Sequence, residues 1–173
     1  MSNLTVMEPA EPMAPSDKKR LRLADRAATR LAPWLARHSV DILRISLGLV
    51  FLGFAALKYF PGVSPAEGLA VRTVETLSLG MLSGYGALVA TAIVETFIGI
   101  TLITGKLLRV GLLVLGGAMV GILSPLVLFF GDLFPGAPTL EAQYVLKDIV
   151  LVAAGLVVTA RALGARFVTD AAR

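Results

Sequence analysis

Four apolar stretches recur along the chain, separated by polar or turn-forming residues. A helical crossing of the hydrocarbon core takes about 20 predominantly apolar residues. The first stretch, 42–60, holds an uncharged run from Ile45 to Leu57 between Arg44 and Lys58. The second, 85–104, is interrupted only by Glu95. The third, 110–131, carries no charge, and Pro125 is its expected kink. The fourth, 144–162, has Lys147 and Asp148 at its start and Arg161 at its end, so its flanking side chains must snorkel if it spans. The pattern predicts an all-α, integral membrane four-helix bundle over residues 41–163.

The segments outside the spans have their own patterns. Residues 1–17 are rich in Pro, Ala, Ser, Met and Glu without apolar period, and read as a disordered tail rather than a secretory signal. Over 18–40, Leu21, Ala24, Ala28, Leu31 and Leu35 repeat at helical steps while Arg22, Arg26 and Arg30 form a stripe. This predicts a basic amphipathic helix that, with Lys18, Lys19, Arg20 and Trp34, anchors on an anionic leaflet. A merely solvated basic helix is the plainer alternative. Pro33 is expected to break this helix and open the next. Ser64-Pro65-Ala66-Glu67 has the form of a capping box with Pro at the first helical position. It announces a short amphipathic helix, running to about Leu79, on the outer surface. Asp132, Pro135, Gly136, Pro138 and Glu141 signal a loop between the third and fourth spans, and residues 164–173 form a C-terminal tail.

Charge fixes an expected orientation. All but Lys58, Arg72 and Lys147 of the 16 lysines and arginines lie in the N-terminal region up to Arg44, in the Lys106/Arg109 loop or toward the C-terminus. By the positive-inside rule both termini are cytoplasmic, and Tyr59, Tyr85 and Tyr144 then fall at outer interfaces. A bacterial inner membrane is the expected location. Composition agrees: 56% of residues are hydrophobic and 16% charged, against about 25% charged in soluble domains. The absence of cysteine excludes in-chain thiolate metal sites and iron–sulfur ligation. One histidine, His38, is too few for a His-rich metal site or an in-chain bis-histidine haem.

Glu95 is the sharpest chemical signal. A carboxylate at mid-membrane costs about 2.5–3.5 kcal/mol on insertion scales, so it must face the interior, pair with a cation or be protonated. Arg44 is the expected partner, with Lys58 placed to reach it less easily. The pair is either a packing device or the polar part of a proton, ion or ligand site. A second group, Lys58, Glu67, Tyr144, Lys147 and Asp148, with Glu75, gathers near the outer boundary. Its lysines either snorkel or join a polar site beneath the surface helix. Gly117 and Gly121 form a GxxxG pair suited to packing within the bundle, or to a homodimer. Nucleotide loops, HExxH and nucleophile elbows are all missing, so catalysis by this chain alone is not expected.

The run Leu43-Arg44-Ile45-Ser46-Leu47-Gly48-Leu49-Val50-Phe51, with Leu57-Lys58-Tyr59-Phe60-Pro61, resembles the first span of DoxX-like membrane proteins. Ala66-Glu67-Gly68-Leu69 is similar to the related YkgB-like group. Val94-Glu95, Leu123-Ser124-Pro125-Leu126 and the run Gln143-Tyr144-Val145-Leu146-Lys147-Asp148-Ile149-Val150-Leu151 continue the resemblance in order. It covers about residues 40–160 and implies a four-helix membrane bundle associated with redox or oxidative-stress chemistry. The resulting expectation is an accessory subunit that docks a soluble redox enzyme at its basic cytoplasmic face. A second expectation is a site for a quinone or small apolar ligand, anchored by Glu95 and Arg44 and walled by Phe51, Phe54 or Phe97. A third is a small transporter or proton pathway through Glu95. No haem, metal, nucleotide or nucleic-acid partner is indicated.

Overall fold

The computed structural model describes the backbone of residues 15–165 and the side chains of residues 29–165. Most of the expected tail at 1–17, the end of the chain from residue 166, and the side chains of Lys18, Lys19, Arg20, Arg22 and Arg26 lie outside the described residues. Among the described residues seven helices follow one another: α1 Pro15–Lys58, α2 Glu67–Leu77, α3 Gly84–Thr104, α4 Leu108–Leu123, α5 Pro125–Leu128, α6 Phe130–Leu133 and α7 Leu140–Ala162. No strand occurs among the described residues.

Among the described residues three segments are long and apolar enough to cross a membrane: Thr29–Lys58, Gly84–Thr104 and Leu108–Leu128. Helix α7 has 23 residues, carries Glu141, Lys147, Asp148 and Arg161, and is not among these three.

The chain divides into residues 1–39 and 40–173, a boundary that falls within α1. In the first unit the helix runs through Pro33 without ending, against the expected break. Proline removes one intrahelical donor and forbids only a local bond, and the residues around it continue the helix. Arg30 is exposed, as is Trp34, whose ring stacks on His38 with centroids 5.0 Å apart. The Nδ1 of His38 donates to the Trp34 carbonyl at 2.9 Å.

In the second unit one buried cluster draws on four helices: Leu47 and Phe51 of α1, Ile98 and Leu102 of α3, Leu112, Leu115 and Met119 of α4, and Val158 of α7. Glycines set how closely these helices approach. A Cβ on Gly48 would stand 3.0 Å from the Gly99 carbonyl oxygen, and one on Gly99 would stand 2.9 Å from that of Gly48. Helices α1 and α3 therefore touch backbone to backbone. Gly111 of α4 similarly meets the Thr101 side chain, and Gly155 of α7 meets Leu115. The expected GxxxG contact does not form within the chain. A Cβ on Gly117 or Gly121 would meet nothing within 4 Å.

Two local expectations are corrected. Helix α2 begins at Glu67 with Ala66 as its N-cap and no side-chain cap, so the Ser64 capping box is not made. Glu67 instead reaches back to accept from the Gly62 backbone N–H at 2.7 Å, holding the turn before the helix. The third apolar stretch is interrupted at Pro125, as expected, but it does not run on to Gly131. Helix α4 ends at Leu123; Ser124 keeps right-handed helical dihedrals and its hydroxyl donates to the Gly121 carbonyl at 2.7 Å; α5 restarts with Pro125 at its first position and ends at Leu128. Proline lacks the N–H that would continue the ladder but suits a helix start. Helix α7 starts on a made cap, the Thr139 hydroxyl accepting from Ala142 N–H at 3.2 Å.

These contacts give a direct test. Gly99→Ala should destabilise the purified protein by about 1–3 kcal/mol, the usual range for overpacking a tight contact. Gly117→Ala should leave thermal unfolding in the same detergent unchanged. Equal melting temperatures for the two variants would refute the close α1–α3 crossing.

Candidate functional site

Lys58 is the last residue of α1 and Glu95 lies just past the middle of α3. The antiparallel contact at Gly48 and Gly99 brings them together. The Lys58 ammonium donates to both Glu95 carboxylate oxygens at 2.8 Å. Both residues are buried, Lys58 at 7% and Glu95 at 5% exposure. A third contact sets the Lys58 ammonium 5.6 Å from the centre of the Phe54 ring. Burying one such charge alone would be strongly unfavourable, whereas the bidentate pair balances charge and satisfies both carboxylate oxygens.

Arg44 is not the partner of Glu95. Its guanidinium donates to the carbonyls of Leu102 and, at 3.3 Å, Ile103, and lies 3.7 Å from Asp41. These carbonyls belong to the last turn of α3, which ends on Gly105 in the left-handed region (φ 71°). The last carbonyls of a helix lack intrahelical donors and carry its negative dipole end, so a cation there is favourable. Arg44 is a C-terminal cap for α3. Sequence distance along one helix could not separate the two roles, because the choice depends on where α1 crosses α3.

Beside the Lys58–Glu95 pair is a partly open cavity of about 380 Å³. Its walls come from α1 (Phe51, Phe54), α2 (Leu69, Thr73), α3 (Thr91, Glu95), α4 (Ala118, Gly121) and α7 (Tyr144, Asp148), with Lys58 also in the lining. Most of the lining is apolar and much of it is small. Of the expected outer group, Lys58, Tyr144 and Asp148 reach this cavity beneath α2. Lys147 is exposed and sits over the Tyr144 ring at 5.1 Å, while Glu67 and Glu75 border a shallow surface hollow instead. Phe51 and Phe54 form cavity wall, and Phe97 does not. Thr73 and Thr91 are polar wall residues that the sequence did not single out. Each hydroxyl bonds the carbonyl four residues earlier in its own helix, at 2.6 Å for Thr73 and 2.9 Å for Thr91.

Helix α2 covers the cavity and is tied down from outside. Arg72 donates to Asp132 at 2.6 Å and stacks over the Phe129 ring at 4.0 Å, while Leu69 joins Phe129 and Leu133 in a second apolar cluster. Both partners of that ion pair are exposed, so the tie contributes little, about 0–1 kcal/mol. The tyrosines brace the same end: Tyr85 donates to the Tyr59 carbonyl, and the Tyr59 and Thr96 hydroxyls lie 3.0 Å apart.

Removing one member of the central pair leaves the other buried and uncompensated. Lys58→Met and Glu95→Gln should each lower stability by about 3–5 kcal/mol, and the double variant should recover a large part of that loss. Thermal unfolding of the four proteins measures the coupling, and additive losses would refute the pair.

No protein-family model matches the chain, and neither does any curated protein or any solved structure.

Proposed function

We propose that this is a four-span membrane protein with both termini cytoplasmic, and that the cavity beneath α2 binds a small, mainly apolar molecule drawn from the bilayer. The observation that carries this reading is the cavity of about 380 Å³ with a buried ion pair in its wall. Ligand pockets run from about 300 to 1,000 Å³, mostly apolar with a few placed polar groups. The fourth crossing is α7. The run from Ile149 to Ala160 carries no charge, and Gly155 and Val158 enter the core shared with the three apolar helices. The Lys and Arg distribution supports the orientation. The DoxX-like resemblance would place the ligand among quinones and the protein beside a redox enzyme.

Topology is testable in the cysteine-free chain. Ser78→Cys in intact cells should react with an impermeant maleimide, and Lys106→Cys should react only after lysis. The reverse pattern would invert the orientation, and labelling of both in intact cells would exclude it.

For the ligand, protein extracted gently from its native membrane should carry a small molecule detectable by native mass spectrometry. Ala118→Phe, which places a ring in the cavity, should lose that molecule while Arg44→Gln keeps it. Bare wild-type protein whose melting temperature is raised by neither a short-chain quinone nor an apolar amine would refute the reading.

A further inference from the structure

Two carboxylates, Glu95 and Asp148, and one ammonium, Lys58, line the same cavity. Glu95 takes up the ammonium with both of its oxygens at 2.8 Å. Asp148 makes no hydrogen bond and no ion pair within 4 Å among the described residues, and it feels Lys58 only through space. It is partly buried, yet its oxygens are not sealed away, since no buried side-chain oxygen is left without a partner. Among the described residues, nothing else that packs around the cavity supplies a positive charge. Arg72 of α2 is held outside by Asp132, Lys147 points to the Tyr144 ring, and α4 contributes only Ala118, Gly121 and apolar neighbours.

Fully ionised, the lining therefore holds one negative charge more than it balances. In an apolar enclosure that excess must be met by a proton or by a cation. We infer that the occupant is a lipophilic monocation, an apolar body carrying one amine or quaternary ammonium group, with Asp148 as its counter-ion. This rests on the ligand-binding reading above and narrows it. The apolar and aromatic walls suit the body, with Phe51, Phe54 and Tyr144 in the lining. A neutral quinone would offer Asp148 no counter-ion and leave a proton as the only means of balancing its charge.

The test uses full-length protein in nanodiscs of zwitterionic lipid and two probes of matched shape. One is 3-phenylpropyltrimethylammonium, and the other is its neutral isostere with carbon in place of nitrogen. Wild type should bind the cation about tenfold tighter or more than the isostere, the scale of one ion pair in a partly desolvated site. Asp148→Asn should bring the two affinities together while still binding the isostere, which shows that the cavity is intact. Asp148→Glu should keep the cation preference, separating lost charge from a disturbed helix. Equal affinities in wild type, or a preference that survives Asp148→Asn, would overturn the cation assignment and leave the apolar site standing. Binding of neither probe would remove both readings.

Discussion

The buried pair between Lys58 and Glu95 is the constraint on which the second unit depends. A lone carboxylate in the middle of an apolar helix has no stable place in hydrocarbon, and a lone ammonium at the end of another is scarcely better. Joined at 2.8 Å through both carboxylate oxygens, they become a tolerable neutral group. The geometry required is narrow, because α1 and α3 must lie close enough for a lysine side chain to bridge them. Gly48 and Gly99 provide that closeness by letting the two backbones meet. Packing and charge balance thus support each other: the glycines position the pair, and the pair fixes the register of the two helices.

The cavity follows from the same arrangement. Around the pair, α2 with its N-cap, α3 and α4 present Ala66, Ala70, Ala90, Ala118 and Gly121, which are too small to fill the space between the larger Phe51, Leu69 and Leu151. A soluble core would close such a gap, since an unfilled apolar void forfeits contact energy. Here the space is kept beside a charged pair and under a helix whose outer tie, Arg72 to Asp132, is exposed and weak. Strong anchoring at one end of α3 by Arg44 contrasts with light anchoring of α2 over the cavity.

The residues that would select a ligand are therefore distinct from those that hold the fold. Lys58 and Glu95 answer each other, while Asp148 faces the cavity without a partner. A ligand meets an apolar enclosure whose one unanswered group is a carboxylate. Redox association, by contrast, rests on the resemblance to DoxX-like proteins alone, and no group in the cavity speaks for electron transfer.

The sequence by itself determined the apolar segments, their helical character and the importance of Glu95, because hydropathy and the cost of a mid-membrane charge are properties of local composition. Helix α3 appears within one residue of its expected start and ends where expected at Thr104. The grouping of Lys58, Tyr144 and Asp148 beneath a surface helix was also legible, since all three sit at the same expected boundary. Tertiary structure alone decided that Glu95 pairs with Lys58 and that Arg44 caps α3, because both cations were within plausible reach and the crossing point chose between them. It also decided that Gly48 and Gly99 make the close contact while Gly117 and Gly121 stay open: a small residue permits approach without requiring it. The extent of the cavity was hidden for the same reason, as an unfilled volume belongs to six helices at once and to no segment of the chain.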